Sequence, residues 1–185
     1  SRPSLPPGMR STSTSCSANC SSLGSSAGDG MTIRRPPRFS DDNDRIGTAR
    51  WHNGPAIDPG EATQYQLLSY TRFDDQVLVQ LNYVIWFKAR PGDDIYAGDI
   101  DGLTWRVTLG PDGVPWLYDS AHNCGCYHQF FPTAMLQLRD DRQWAEPPLI
   151  PQKAPNPPLV IRLDSGRHFI QRVYPYRGEA TTRPL

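Results

Sequence analysis

Residues Gln76–Phe87 read QVLVQLNYVIWF, and this stretch decides the fold. Apolar side chains recur at every second position from Val77 to Phe87, which is the period of a β-strand and not of a helix. Gln80 and Asn82 interrupt the opposite side of the strand, where they either line a pocket or lie on a half-exposed sheet face. The stretch therefore predicts a long strand within a sheet.

Two hairpins are predicted further along the chain. Residues 103–109 and 114–118 alternate in the same way around Gly110-Pro-Asp-Gly113, whose proline and glycines suit a tight turn. Residues 159–163 and 168–173 alternate around Asp164-Ser-Gly166. Proline and glycine together make up 34 of 185 residues (19 plus 15), against about 22 at average usage, which disfavours long helices. We predict a mostly β fold, an antiparallel sheet curled into a sandwich or partial barrel, with long Pro-rich loops and little helix.

The composition changes near residue 38. Ten of the first thirty residues are serine, and every aromatic residue lies at Phe39 or later. A segment with so few apolar side chains cannot bury enough surface to offset its ordering entropy. We therefore predict that residues 1–38 form a disordered Ser/Pro-rich tail and linker, dispensable for folding, and that residues 39–185 form a single β-rich globular domain.

Charge and hydropathy exclude several classes of protein. Lys and Arg together number 19, as do Asp and Glu, so the net charge of zero gives no reason to expect a nucleic acid partner. No apolar run approaches the ~20 residues of a membrane-spanning helix, so we expect a soluble chain without a transmembrane segment. Because the sequence begins at Ser1 and not with methionine, we expect either a fragment of a larger protein or a processed product. Compartment and partners stay open.

The densest chemistry in the sequence lies in residues 122–128, which read HNCGCYH. Four side chains at alternate positions could serve as metal ligands: His122, Cys124, Cys126 and His128. On a strand they would project to one side, and thiolate with imidazole is the ligand set that zinc prefers. A straight strand separates alternate residues by about 6.6 Å, too far for all four to reach one ion. Either Gly125 bends the chain, or residues from elsewhere complete the site.

The residues that rank as outside partners are His168, which follows a predicted hairpin turn, and then His52 and Asp119. We therefore predict a zinc-binding β domain, with zinc as the cofactor, whose metal ligands are Cys124, Cys126, His128 and His168. His122 is a further ligand or an acid/base group. The zinc is either structural or hydrolytic; a hydrolytic zinc keeps one position for a water molecule, whose pKa it lowers to about 7.

Two other hypotheses stand beside this one. The first is a Cys-dependent hydrolase or redox enzyme with Cys126 and His122 as catalytic candidates and Gln80 or Asn82 as oxyanion donors. A Cys124–Cys126 disulfide would be strained and labile. The second is a non-catalytic binding module of a larger envelope or secreted protein, in which the cysteines are merely packed.

Overall fold

The structure is a computed structural model that describes residues 32–34, 42–138 and 147–176. These residues contain one short 3-10 helix, Asp42–Asp44, and ten strands, so the predicted mostly β class with little helix is confirmed. No helix in this part of the chain is long and apolar enough to cross a membrane. The strands are β1 (Thr32–Arg34), β2 (Ile46–Trp51), β3 (Pro55–Asp58), β4 (Gln64–Phe73), β5 (Gln76–Phe87), β6 (Asp101–Leu109), β7 (Pro115–His122), β8 (Gln129–Pro132), β9 (Leu159–Leu163) and β10 (Ile170–Pro175).

The strands form two sheets. The larger has the order β3-β2-β5-β6-β7-β8, with β4 also paired to β5, and the smaller has the order β1-β9-β10. Strands β2 and β3, β6 and β7, β7 and β8, and β9 and β10 are antiparallel, whereas β1 runs parallel to β9. Within the described residues the larger sheet ends at β3 and β8 and does not close into a barrel, so the antiparallel, sandwich-like class is the one observed.

The described residues group into two compact units that interleave along the chain. Unit 1 comprises residues 64–84, 103–138 and 147–154, and unit 2 comprises residues 32–34, 42–63, 85–102 and 155–176. The sequence predicted one domain from residue 39 onward, and the grouping follows no single boundary in the sequence. Thr32–Arg34, inside the predicted tail, form β1 against β9. The rest of residues 1–38 lies outside the described residues.

The core of unit 1 is aromatic and is built by the predicted β6–β7 hairpin. Trp105 packs between Tyr118 and Phe131, with ring centroids 5.6 and 5.4 Å away. The connecting turn closes as predicted, since the Gly110 N–H donates to Val114 O at 2.8 Å. The hairpin places every alternate β6 side chain against this core, as its apolar period requires.

The part of β5 that belongs to unit 1 differs from the expectation of a half-exposed polar face. Leu78, Gln80 and Asn82 are buried, whereas Val77 is 63% exposed. The two amides are tolerated there because they are hydrogen-bonded: Ser69 Oγ donates to Gln80 Oε1 at 3.1 Å and accepts from Asn82 Nδ2 at 2.9 Å. Burial of a polar group costs little when its hydrogen bonds are replaced.

The core of unit 2 lies around the second predicted hairpin. Strands β9 and β10 bury their aliphatic side chains, and Gly166 at φ 76° lies in the turn between them. Strand β10 begins at Ile170 and not at residue 168. His168 therefore belongs to the turn, where it has a positive φ of 58° and a ring only 1% exposed.

Candidate functional site

Residues 122–128 form the connection between β7 and β8 and not a straight strand. The Gly125 N–H donates to His122 O at 2.7 Å, and the His122 N–H donates to Cys126 O at 3.0 Å, which closes a tight turn. Gly125 has φ 89° and Tyr127 has φ 54°. Glycine adopts this left-handed conformation without a Cβ clash, and the chain bends at Gly125, the position that the sequence suggested for a bend.

The turn divides the four predicted ligands between surface and interior. Cys124 is exposed and Cys126 half-buried, and both are free thiols. His122 is buried, 3% exposed, with its ring 5.5 Å from that of Tyr127. The four predicted ligands therefore do not lie on one face, because alternate residues share a face only where the chain is extended.

His128 is the predicted ligand with the most specific environment. Its Nε2 lies 2.9 Å from Oδ1 of Asp119, whose side chain is 3% exposed. Arg106 donates to the same carboxylate twice, from Nη2 at 2.6 Å and from Nε at 3.0 Å. Because a carboxylate only accepts, Nε2 of His128 carries a hydrogen, and the neutral ring has its lone pair on Nδ1.

The sheet register explains this cluster. Arg106 of β6 pairs with Asp119 of β7, and Asp119 pairs with Phe130 of β8. His128 precedes Phe130 by two residues and packs its ring on it, with centroids 4.2 Å apart. Three adjacent strands thus hold the Arg106–Asp119–His128 cluster, in which a buried carboxylate is bonded by a two-pronged guanidinium.

His168 lies in unit 2 with partners of its own. Nδ1 is 2.7 Å from Asp101 Oδ2, and Nε2 is 3.2 Å from Asp44 Oδ1. The ring stacks on Phe87 at 3.8 Å with an interplanar angle of 5°. Nδ1 is therefore hydrogen-bonded to Asp101, whereas Nε2 lies near Asp44 without a hydrogen bond among the described residues.

No group of three or more His, Cys, Asp or Glu side chains is arranged to hold a metal ion within residues 32–34, 42–138 and 147–176. His52, the next predicted partner, is exposed in the turn between β2 and β3. The turn and the Arg106–Asp119–His128 cluster are therefore the parts of the predicted site that the chain brings together. The predicted zinc ligands stay a prediction.

A groove of about 210 Å³ lies in unit 1 beside this cluster. Arg106 and Asp119 line it, as does the buried amide of Gln80, one of the two side chains that the sequence suggested for a pocket. Phe73 and Trp116 form part of its apolar wall, with ring centroids 5.7 Å apart. The cluster thus connects the turn with a concave surface.

No family model, curated protein or solved structure matches this chain. Function is therefore argued from its residues. Sequence reasoning ranked Asp119 only as a remote ligand and did not single out Arg106. A signal was present, since an aspartate in the middle of a buried strand requires a charged or hydrogen-bonding partner.

Proposed function

We propose that this protein is a zinc-binding β domain whose ligands are Cys124, Cys126 and His128 in the β7–β8 turn. The observation that carries the proposal is the hydrogen bond between His128 Nε2 and the buried Asp119. A histidine that binds a metal usually donates its other ring N–H to a carboxylate, which fixes the ring and raises its basicity. In this protein the bond from His128 Nε2 to Asp119 leaves the lone pair of Nδ1 pointing away from Asp119, where it is available to a metal ion.

The two thiols supply the other ligands. Cys124 and Cys126 flank Gly125, neither forms a disulfide, and Cys124 is exposed. Zinc would require thiolate sulfurs at about 2.3 Å and an imidazole nitrogen at about 2.0–2.1 Å. The three donors do not already converge, so metal binding would tighten the turn, and Gly125 is the residue whose backbone best accommodates that change. Three protein ligands leave a fourth position for water, the pattern of hydrolytic zinc.

His168 is not part of the proposal, because its ring is buried against Phe87 and its Nδ1 is hydrogen-bonded to Asp101. His122 is also left out as a ligand, because its side chain is buried. Its backbone N–H and carbonyl, which close the turn on Cys126 and Gly125, give it a positioning role.

A thiol enzyme is the second candidate, and the same Asp119–His128 pair favours it. A histidine oriented by a carboxylate can accept a thiol proton at its free nitrogen. Cys126 precedes His128 by two residues and is the half-buried thiol of the turn. In this reading Cys126 is the nucleophile, His128 replaces His122 as its base, and no metal is required.

The experiment is metal analysis of the full chain after purification without chelator and reconstitution with one equivalent of Zn²⁺. We expect about one zinc ion per chain for the wild type and loss of stoichiometric zinc in Cys124→Ser, Cys126→Ser and His128→Gln. Asp119→Asn should weaken zinc affinity by about 10- to 100-fold. His52→Gln is the matched control, since His52 is an exposed histidine of unit 2.

A wild-type protein that neither retains nor takes up zinc would overturn the zinc proposal. The thiol candidate is then tested by alkylation at pH 6 in a Cys16→Ser/Cys20→Ser background, because the chain has four cysteines. An ordinary thiol with a pKa near 8.5 reacts slowly at this pH. Fast labelling of Cys126 that is lost in His128→Gln would support the enzyme, and slow labelling of both remaining thiols would exclude it.

A further inference from the structure

The groove in unit 1 has a polar side with hydrogen-bond donors to spare. Gln80 Nε2 donates to Thr108 Oγ1 at 3.0 Å, and both residues are buried, 8% and 4% exposed. A primary amide has two N–H hydrogens, so Gln80 has one left. The Thr108 hydroxyl accepts this bond, and its own hydrogen is donated to no residue that the structure describes.

Arg106 adds further donors to the same side. Its Nε and Nη2 are bonded to Asp119, whereas Nη1 makes no hydrogen bond within the described residues. A guanidinium has five N–H hydrogens, so the two on Nη1 are available. Two acceptors on this side already receive hydrogen bonds: Gln80 Oε1 accepts one from Ser69, and the Asp119 carboxylate accepts three from Arg106 and His128. The groove therefore matches a ligand that accepts hydrogen bonds.

The net charge of the residues that line the groove also favours an anionic ligand. The lining contains two arginines, Arg72 and Arg106, and one aspartate, Asp119, which together carry one net positive charge. Arg72 forms no ion pair within the part of the chain that the structure describes. The lining also contains apolar side chains, among them Leu78 and Trp116.

We propose that this groove binds a small carboxylate with an apolar body, the carboxylate on the donors of Thr108, Gln80 and Arg106 and the body against Leu78 and Trp116. Its volume of about 210 Å³ is below the ~300 Å³ at which ordinary ligand pockets begin, so the ligand is of fragment size. The proposal is independent of zinc.

The experiment is a titration of the full chain followed by NMR amide shifts, with three probes of the same shape: benzoate, benzamide and benzylamine. We expect saturable binding of benzoate at unit 1 amides with a Kd on the order of 1 mM. Benzamide and benzylamine should bind at least about 10-fold more weakly, because a hydrogen bond to a charged group is the stronger one.

Thr108→Val keeps the side-chain shape but removes the hydroxyl, which is both a donor to the ligand and the group that holds the Gln80 amide in place, and should weaken benzoate binding about 10-fold. Thr104→Val is the matched control on the same strand, because the Thr104 hydroxyl donates to Asn123 and does not line the groove. Equal affinity for all three probes, an unchanged Kd in Thr108→Val, or no saturation at ten times the expected Kd would each overturn the proposal. None of these outcomes depends on whether the protein binds zinc.

Discussion

Replacing His168 by alanine should destabilise unit 2 more than any other single histidine substitution in the described chain. The ring is 1% exposed and lies between the carboxylates of Asp44 and Asp101. Removing the partner of a buried carboxylate costs about 3–5 kcal/mol, because the remaining carboxylate charge stays desolvated. Loss of the stacked Phe87 contact adds about 0.5–1.5 kcal/mol.

The expected loss of unfolding free energy in His168→Ala lies toward the lower end of the sum of these two contributions. Asp44 keeps two donors, the Ser165 hydroxyl and the Gly166 N–H, and Asp101 keeps the Gly102 N–H. We therefore expect a loss of about 3–4 kcal/mol in unfolding free energy. At about 2–4 °C per kcal/mol for a chain of this size, Tm should fall by about 10 °C.

The assay is urea unfolding at neutral pH, with His128→Ala as the matched control. His128 is 40% exposed, and the Asp119 carboxylate that it leaves behind keeps both bonds from Arg106, so the control should lose no more than about 1 kcal/mol. Asp101→Asn combined with His168→Ala should be more stable than His168→Ala alone, because Asp101 is the buried carboxylate that loses its hydrogen bond to the imidazole. A loss below about 1 kcal/mol in His168→Ala, or no gain in the double variant, would refute the reasoning.

Three further predictions concern zinc, a carboxyl group and a glycine. If zinc is bound through thiolates, lowering the pH from 7 to 5 should release it from the wild type, measured with a zinc-sensitive dye, since the thiols must be deprotonated to bind. Burial raises the pKa of Asp164 above its ordinary 3.8, against the opposing effect of the Phe169 N–H bond. The Asp164 carboxyl therefore binds its proton more tightly in the folded protein than in the unfolded chain. As the pH rises from 3.8, the stability of the wild type should fall relative to that of Asp164→Asn, measured by thermal melts. A difference that stays constant with pH would contradict this. Gly110→Ala should lose about 1–3 kcal/mol in urea unfolding, because the added Cβ would lie within 3 Å of the Trp116 indole, whereas Gly98→Ala, with its nearest atom at 4.0 Å, is the control and should lose less.

Local patterns predicted the strands well. The alternation in Gln76–Phe87 and the turn signals around Gly110 and Gly166 gave β5 and both hairpins, because period-two burial and turn chemistry are encoded within a few residues. Register was harder to predict. The register of the β6–β7 pairing shifts by one residue between Thr108 and Leu109, and this shift places Arg106 opposite Asp119. A regular register counted back from the turn would have placed a different residue opposite Arg106.

The surroundings of the predicted site residues depended on contacts distant in sequence. Ser165 and Gly166 bond Asp44 across 121 and 122 residues, and Asp101 reaches His168 across 67. No spacing rule in one sequence reports such contacts, so His168 looked available as a ligand. Cys124 and Cys126 were identified as neighbours in the chain, but the turn at Gly125 decided which of them reaches the surface.

The pairing of Thr32–Arg34 with β9 has a consequence for where the chain can be shortened. β9 has β1 on one side and β10 on the other. A chain that starts at residue 39 would lose β1 and leave a row of unpaired N–H and C=O groups along β9. Such a bare edge is a template for pairing with another molecule, so this shortened chain should self-associate with rising concentration. A chain that starts just before Thr32 keeps the edge covered and should stay monodisperse under the same conditions.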